Sequence, residues 1–185
     1  MEEIHNCQEI NDKPPSFFFQ KGVGTGSKIL ILGESLGKDS LLHQGRAFYT
    51  VSGKIVPTGK KLNEELAILN LSFEKCAFTE IAKCYLGGNR KVLKTCGLRS
   101  GGHLISQLKK YKIKLIISLG VLTKEILEEI FGTKLSIGEI GKIKNNRYIW
   151  KVLPLYHPSP ANPHGHERNL KIIKKFKKIK CLKIF

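Results

Sequence analysis

The chain has 185 residues, 41% of them hydrophobic and 25% charged, with 32 Lys+Arg against 15 Asp+Glu for a formal charge of +17. Such a length and apolar content suit one globular domain with a sizeable core. The cationic excess favours a polyanionic partner, nucleic acid first, although a lysine-biased surface would look the same. No apolar run approaches the roughly 20 residues that a membrane span needs. The acidic start at Glu2 and Glu3 lacks the basic region of a signal peptide. A cytoplasmic monomer with no membrane partner is the expectation. Five cysteines in such a chain read as thiols or metal ligands rather than disulfides.

Residues 1–27 read as irregular, with Pro14-Pro15, three consecutive phenylalanines and a glycine-rich stretch from Gly22 to Gly26. A buried strand follows at 28–33, and 37–57 reads as a long loop, a feature that is usually functional. Leu62, Leu66 and Leu69 share one face of a helix at 58–69. A strand at 75–82 leads into a Gly- and Lys-rich connection that holds Cys84 and Cys96. Then come a helix at 101–110, the strand Ile113–Ser118, and a helix at 121–131 capped by Gly132. A short hairpin fills 135–149 before the last strand at 150–156. A lysine-rich helix over 165–185 turns Ile172, Ile173, Phe176 and Ile179 inward. Alternating strands and helices predict a three-layer α/β/α sandwich around a mainly parallel, four-stranded sheet, forming one domain over 1–185.

Two segments stand out against this frame. Gly33-Glu34-Ser35-Leu36-Gly37 follows the first strand, and His157-Pro158-Ser159-Pro160 follows the last. In one parallel sheet both would emerge at the carboxyl edge, where open α/β sheets place ligands. A carboxylate and an imidazole would then face one crevice.

Four segments occur in the order Gly33-Glu34-Ser35-Leu36-Gly37, Gly45-Arg46-Ala47-Phe48, Thr79-Glu80-Ile81-Ala82-Lys83-Cys84 and His157-Pro158-Ser159-Pro160. In that order they resemble the uracil-DNA glycosylase superfamily, most of all its iron–sulfur family 4 branch, over residues 28–170. The resemblance implies a DNA glycosylase that flips a deaminated base, uracil first, and hydrolyses its glycosidic bond. Glu34 would then serve the sugar cation. His157 would lie beside the base carbonyl. Phe48 would stack on the flipped base, with Gly33, Ser35 and Glu80 around it. Ser159 and Asn162 would face the DNA phosphates.

Two positions depart from the family pattern. Glu80 stands where family 4 has an asparagine that reads both an acceptor and a donor on uracil. An ionised Glu80 offers acceptors only, whereas a protonated one reproduces the asparagine pattern. Pairing with Lys83 is a third reading. Hypoxanthine and xanthine are therefore alternative substrates, and an inactive nucleic-acid-binding relative is the alternative outside the enzymes. The second departure concerns the implied [4Fe-4S] cluster. Cys84 and Cys96 match one ligand pair, but at the amino end only Cys7 remains, with Ile10 in its partner's place. His5 is the candidate fourth ligand, and a degenerate site without a cluster is the other reading. Bulky wedge residues of some relatives are replaced by the small Ala161, which suits single-stranded or mismatched DNA.

Overall fold

In the computed structural model, residues 19–20, 28–35, 47–50, 52–83 and 90–178 are described. Their strands are β1 (Phe19–Gln20), β2 (Ile29–Ser35), β3 (Ala77–Ala82), β4 (Leu115–Leu119), β5 (Gly141–Asn145) and β6 (Tyr148–Leu155). Their helices are α1 (Pro57–Ile68), α2 (Arg90–Arg99), α3 (Gly101–Lys110), α4 (Val121–Phe131) and α5 (Pro163–Lys178).

The strands form one sheet in the order β1-β3-β2-β4-β6-β5. The central four, β3, β2, β4 and β6, run parallel, and β1 and β5 add antiparallel edges. Residue alternation along β2 sets the two layers. Leu30 and Leu32 point into a core shared with Leu93 and Cys96 of α2, Leu104 and Leu108 of α3, and Ile126 and Leu127 of α4. Ile29 and Ile31 point the other way, against Leu62 and Leu66 of α1 and Ile173 of α5. A strand buried on both faces reads as a continuous apolar run because it needs no polar face.

The three-layer, mainly parallel architecture is as expected, but among the described residues the sheet has six strands rather than four. β1 is two residues long and leaves no period to read. In β5 a single buried residue, Ile143, lies between exposed Lys142 and Lys144. The expected hairpin exists, but its second arm is the last strand itself, which begins at Tyr148 around the turn at Asn146 and Arg147. The stretch around Cys96 is also not a loop. It is α2, whose lysines and Gly97 mask a helical period. α4 packs tightly against Gly97: a Cβ there would lie 2.8 Å from Ile126. The cap at Gly132 is left-handed, with φ of 60°. Among the described residues, no helix is long and apolar enough to cross a membrane.

Candidate active site at the carboxyl edge

Gly33 of β2 pairs with Glu80 of β3, while Leu32 pairs with Ser118 of β4, and Leu119 pairs with Leu155 of β6. Continuing those registers puts Glu34, Gly120 and Tyr156 level at one sheet edge, with His157 one residue beyond. Glu34 and His157 therefore flank the tip of β4, two strand spacings or about 10 Å apart along the sheet. The edge also receives Ser35, which pairs with Ala82.

The Glu34 carboxylate lies against Gly120, so that a Cβ there would stand 3.2 Å from Glu34 Cδ. Gly120 holds φ of 100° and donates its N–H to Leu155 O at 2.8 Å. It is the N-cap of α4, so the carboxylate sits at a helix N-terminus, where partial positive charge favours an anion. A side chain at position 120 would take the space Glu34 occupies.

Glu80 projects to the α1/α5 side, and its carboxyl lies over Gly33 with Oε2 nearest. A Cβ on Gly33 would come within 2.8 Å of Glu80 Cδ, so glycine here is a packing requirement. The carboxyl is buried, and its Oε2 has no hydrogen-bond partner. Burial raises its pKa well above the ordinary carboxylate value, Lys83 opposes this only in part, and Glu34 adds to it. Burial therefore favours the neutral acid, which has one O–H to donate and one oxygen to accept.

Lys83 makes no ion pair with it. On the opposite side of β3, the buried ammonium donates to Thr79 Oγ1 and, at 3.0 Å, to Gln107 Oε1 of α3. Burial lowers its pKa to about 7 against the pull of Glu80. The third reading of Glu80 is thus corrected: the two groups sense each other at a distance, and both are driven toward their neutral forms.

His157 is half-buried, and burial lowers its pKa, so the imidazole is neutral at pH 7 and can donate from one nitrogen. Its carbonyl accepts from Asn162 Nδ2 at 3.3 Å. Asn162 therefore works inward on the turn. The Ser159 hydroxyl accepts from Ala161 N–H at 3.0 Å and keeps its own proton to donate.

Phe48 holds φ of 66° and lies parallel to Phe73, centroids 5.1 Å apart, with its edge toward Phe78 at 4.9 Å. Phe78 precedes Glu80 by two residues on the same strand face, so this aromatic cluster continues the Glu80 wall. The cavity beside it is about 20 Å³, room for a water but not for a base. One ring face of Phe48 is already covered by Phe73.

Leu36, Gly37, Gly45, Arg46, Cys84, Cys7 and His5 lie outside the described residues. Of the implied cluster ligands only Cys96 is described, buried on α2. Cys76 enters β3 at its far end, where burial, with Glu74 second, pushes the thiol up to about 12. Among the described residues no three His, Cys, Asp or Glu side chains gather to hold a metal. Cys96 is thus one described residue of the four that such a cluster needs.

One group of residues was not anticipated. Glu65 of α1 is fully buried and accepts from Asn169 of α5, while His166 bridges Glu65 and Glu64. Its signal was present in the sequence: Glu65 follows Leu62 by three and precedes Leu69 by four, on the apolar stripe of α1.

The fold is an α/β sandwich that sets Glu34, Glu80 and His157 at the tips of parallel strands, the edge where open α/β sheets place ligands. Comparison with known proteins places it further. The chain belongs to the uracil DNA glycosylase superfamily, whose profile matches residues 20–179. Among curated proteins it is 27% identical over 172 residues to the type-4 uracil-DNA glycosylase of Saccharolobus solfataricus, covering 86% of this chain and 74% of that protein. It is also 27% identical over 165 residues to the type-4 uracil-DNA glycosylase of Archaeoglobus fulgidus, covering 85% and 78%. Membership makes the protein a DNA glycosylase, a hydrolase of base excision repair.

Proposed function

We propose that the protein excises uracil from DNA, with Glu80 reading the base as a neutral acid. The observation that carries this reading is the buried carboxyl over Gly33 with its unpartnered Oε2. A protonated carboxyl offers one donor and one acceptor, the pair that uracil O4 and N3–H require. An ionised carboxylate would suit an exocyclic amine, but burial at this position opposes the charge.

The chemistry then follows from the remaining groups. The flipped nucleotide places its C1′–N1 bond between Glu34 and His157. As the bond breaks, its electron pair leaves with the base, and positive charge grows on the sugar. The Glu34 carboxylate faces that cation and orients a water, whose oxygen bonds to C1′ while its proton passes to solvent or base. The neutral His157 imidazole donates to the base carbonyl, which carries the developing negative charge. The products are free base and an abasic site.

The Ser159 O–H and the exposed lysines Lys171, Lys174 and Lys175 of α5 supply phosphate contacts that carry no sequence preference. Exposed Ala161 leaves the turn without a wedge, which supports single-stranded or mismatched DNA as substrate. The test is incubation with oligonucleotides carrying a single uracil, hypoxanthine or xanthine, in single and double strands, followed by alkali. Cleavage at uracil is expected. No cleavage at any of the three sinks the reading.

A further inference from the structure

β6 ends at Leu155, yet the next residue is held as firmly as if the sheet continued. Asn169 Oδ1 accepts from Tyr156 N–H at 2.9 Å, and Asn169 Nδ2 donates to Tyr156 O at 2.8 Å. The amide thus imitates a neighbouring strand for one residue, and His157 becomes the first residue free of the ladder. Asn169 is fully buried, so no water competes for these bonds.

The orientation of that amide is itself fixed. Its Nδ2 also donates to Glu65, 3.1 Å from each carboxylate oxygen. Turning the amide over would set oxygen against the carboxylate and Tyr156 O, and NH₂ against the Tyr156 N–H, three repulsive contacts in a dry site. Glu65 is held in turn by His166 Nδ1 at 2.9 Å, and His166 Nε2 reaches Glu64 Oε2 at 3.1 Å. Arg168 stands over the Tyr156 ring, 5.4 Å from its centroid. Gly165 leaves the turn room to close, since a Cβ there would lie 2.8 Å from His157 O. The helix pair α1–α5 could be packed with aliphatic side chains at less cost than a buried acid. Instead its polar centre ends on the main chain beside His157.

We infer that Asn169 is a positioning residue that sets where the His157 imidazole stands, and that Glu65 and His166 hold it in the one orientation that does so. This rests on the reading that His157 serves the departing base. The groups facing Glu65 are Glu64 on its own helix, and His166 and Asn169 on α5; the Tyr156 main chain, just past β6, lies on the far side of Asn169. Burial raises Glu65 to about 7, partly offset by the His166 and Asn169 hydrogen bonds. Below that pH the protonated carboxyl loses acceptor capacity, and the clamp loosens.

The test measures single-turnover excision from a uracil oligonucleotide, DNA affinity and the pH profile for the wild type, Asn169→Ala and Glu65→Gln. Wild-type cleavage comes first: its absence overturns the functional reading and this inference together. Given an active wild type, Asn169→Ala should lose roughly 10–100-fold in rate with DNA affinity within about threefold. Glu65→Gln keeps an acceptor for Asn169 but cannot titrate. With only the acceptor capacity of the protonated acid, it should hold, at every pH, the lowered rate that the wild type reaches on its acid side, and so lose the acid limb near pH 7. An Asn169→Ala rate within about threefold of wild type overturns the inference while leaving the functional reading intact. If Asn169→Ala does not fold, Glu65→Gln decides alone: an unchanged acid limb overturns the inference, and a flattened one supports it.

Discussion

Glu80→Gln is the substitution that separates a neutral reader from a charged one. Glutamine keeps the planar shape, one acceptor and a donor, and removes the titration. The Glu80 carboxyl lies against Gly33 with Oε2 unpartnered, so ionising it there leaves an uncompensated buried charge, a cost of about 3–5 kcal/mol. The folded-state pKa is raised, so between the ordinary carboxylate value and that raised value the native protein holds a proton which the unfolded chain has released. Wild-type stability therefore falls as pH rises through that window. Glu80→Gln lacks that slope, so its stability relative to the wild type should rise as pH rises, read from urea midpoints. Excision should follow the same proton. Above the folded pKa each pH unit removes about tenfold of the neutral form, or about 1.4 kcal/mol, and the wild-type rate should fall accordingly. Glu80→Gln should match the wild type near pH 7 and hold its rate into the alkaline range. A folded Glu80→Gln protein that is about 100-fold slow at pH 7, or that keeps the wild-type alkaline limb, would refute the assignment.

Gly33→Ala drives a methyl into the Glu80 carboxyl and should cost about 1–3 kcal/mol in urea unfolding, with loss of excision greater than loss of DNA affinity. Lys83, lowered from 10.5 to about 7, binds a proton more readily when unfolded, so its share of stability should diminish as pH falls from 10.5 toward 7. The swing is of the order of 5 kcal/mol, and Lys83→Met should remove it from denaturation curves taken across that range. Phe48→Ala should destabilise by about 2–3 kcal/mol through its contacts with Phe73 and Phe78. Phe48→Leu should recover most of that stability, so any remaining loss of excision measures stacking on the base. Glu34→Gln should keep DNA affinity while single-turnover excision drops at least about 100-fold.

What the sequence made legible was whatever local pattern decides. The continuous apolar run of β2 and β4 announced buried parallel strands, and the segments after β2 and β6 had to share an edge once those strands were parallel. Gly132 capped its helix as expected because only the left-handed conformation ends α4 there. What could not be read depends on contacts between distant segments. β5 shows one buried residue among lysines and becomes a strand only because β6 turns back beside it. α2 was hidden by its lysines and by Gly97, whose missing side chain makes sense only against Ile126. The protonation of Glu80 depends on burial over Gly33, and the role of Asn169 on two helices meeting at the end of β6. Neither is encoded in spacing along the chain.

The most direct measurement is the identity of the base set free. Purified protein is incubated with DNA containing equal amounts of uracil, hypoxanthine and xanthine, and the released bases are quantified by mass spectrometry in wild type and Glu34→Gln. Free uracil in excess from the wild type, with little from the variant, is the expected result. Release of hypoxanthine or xanthine instead of uracil would contradict the assignment of Glu80, and equal release by both proteins would contradict the role of Glu34.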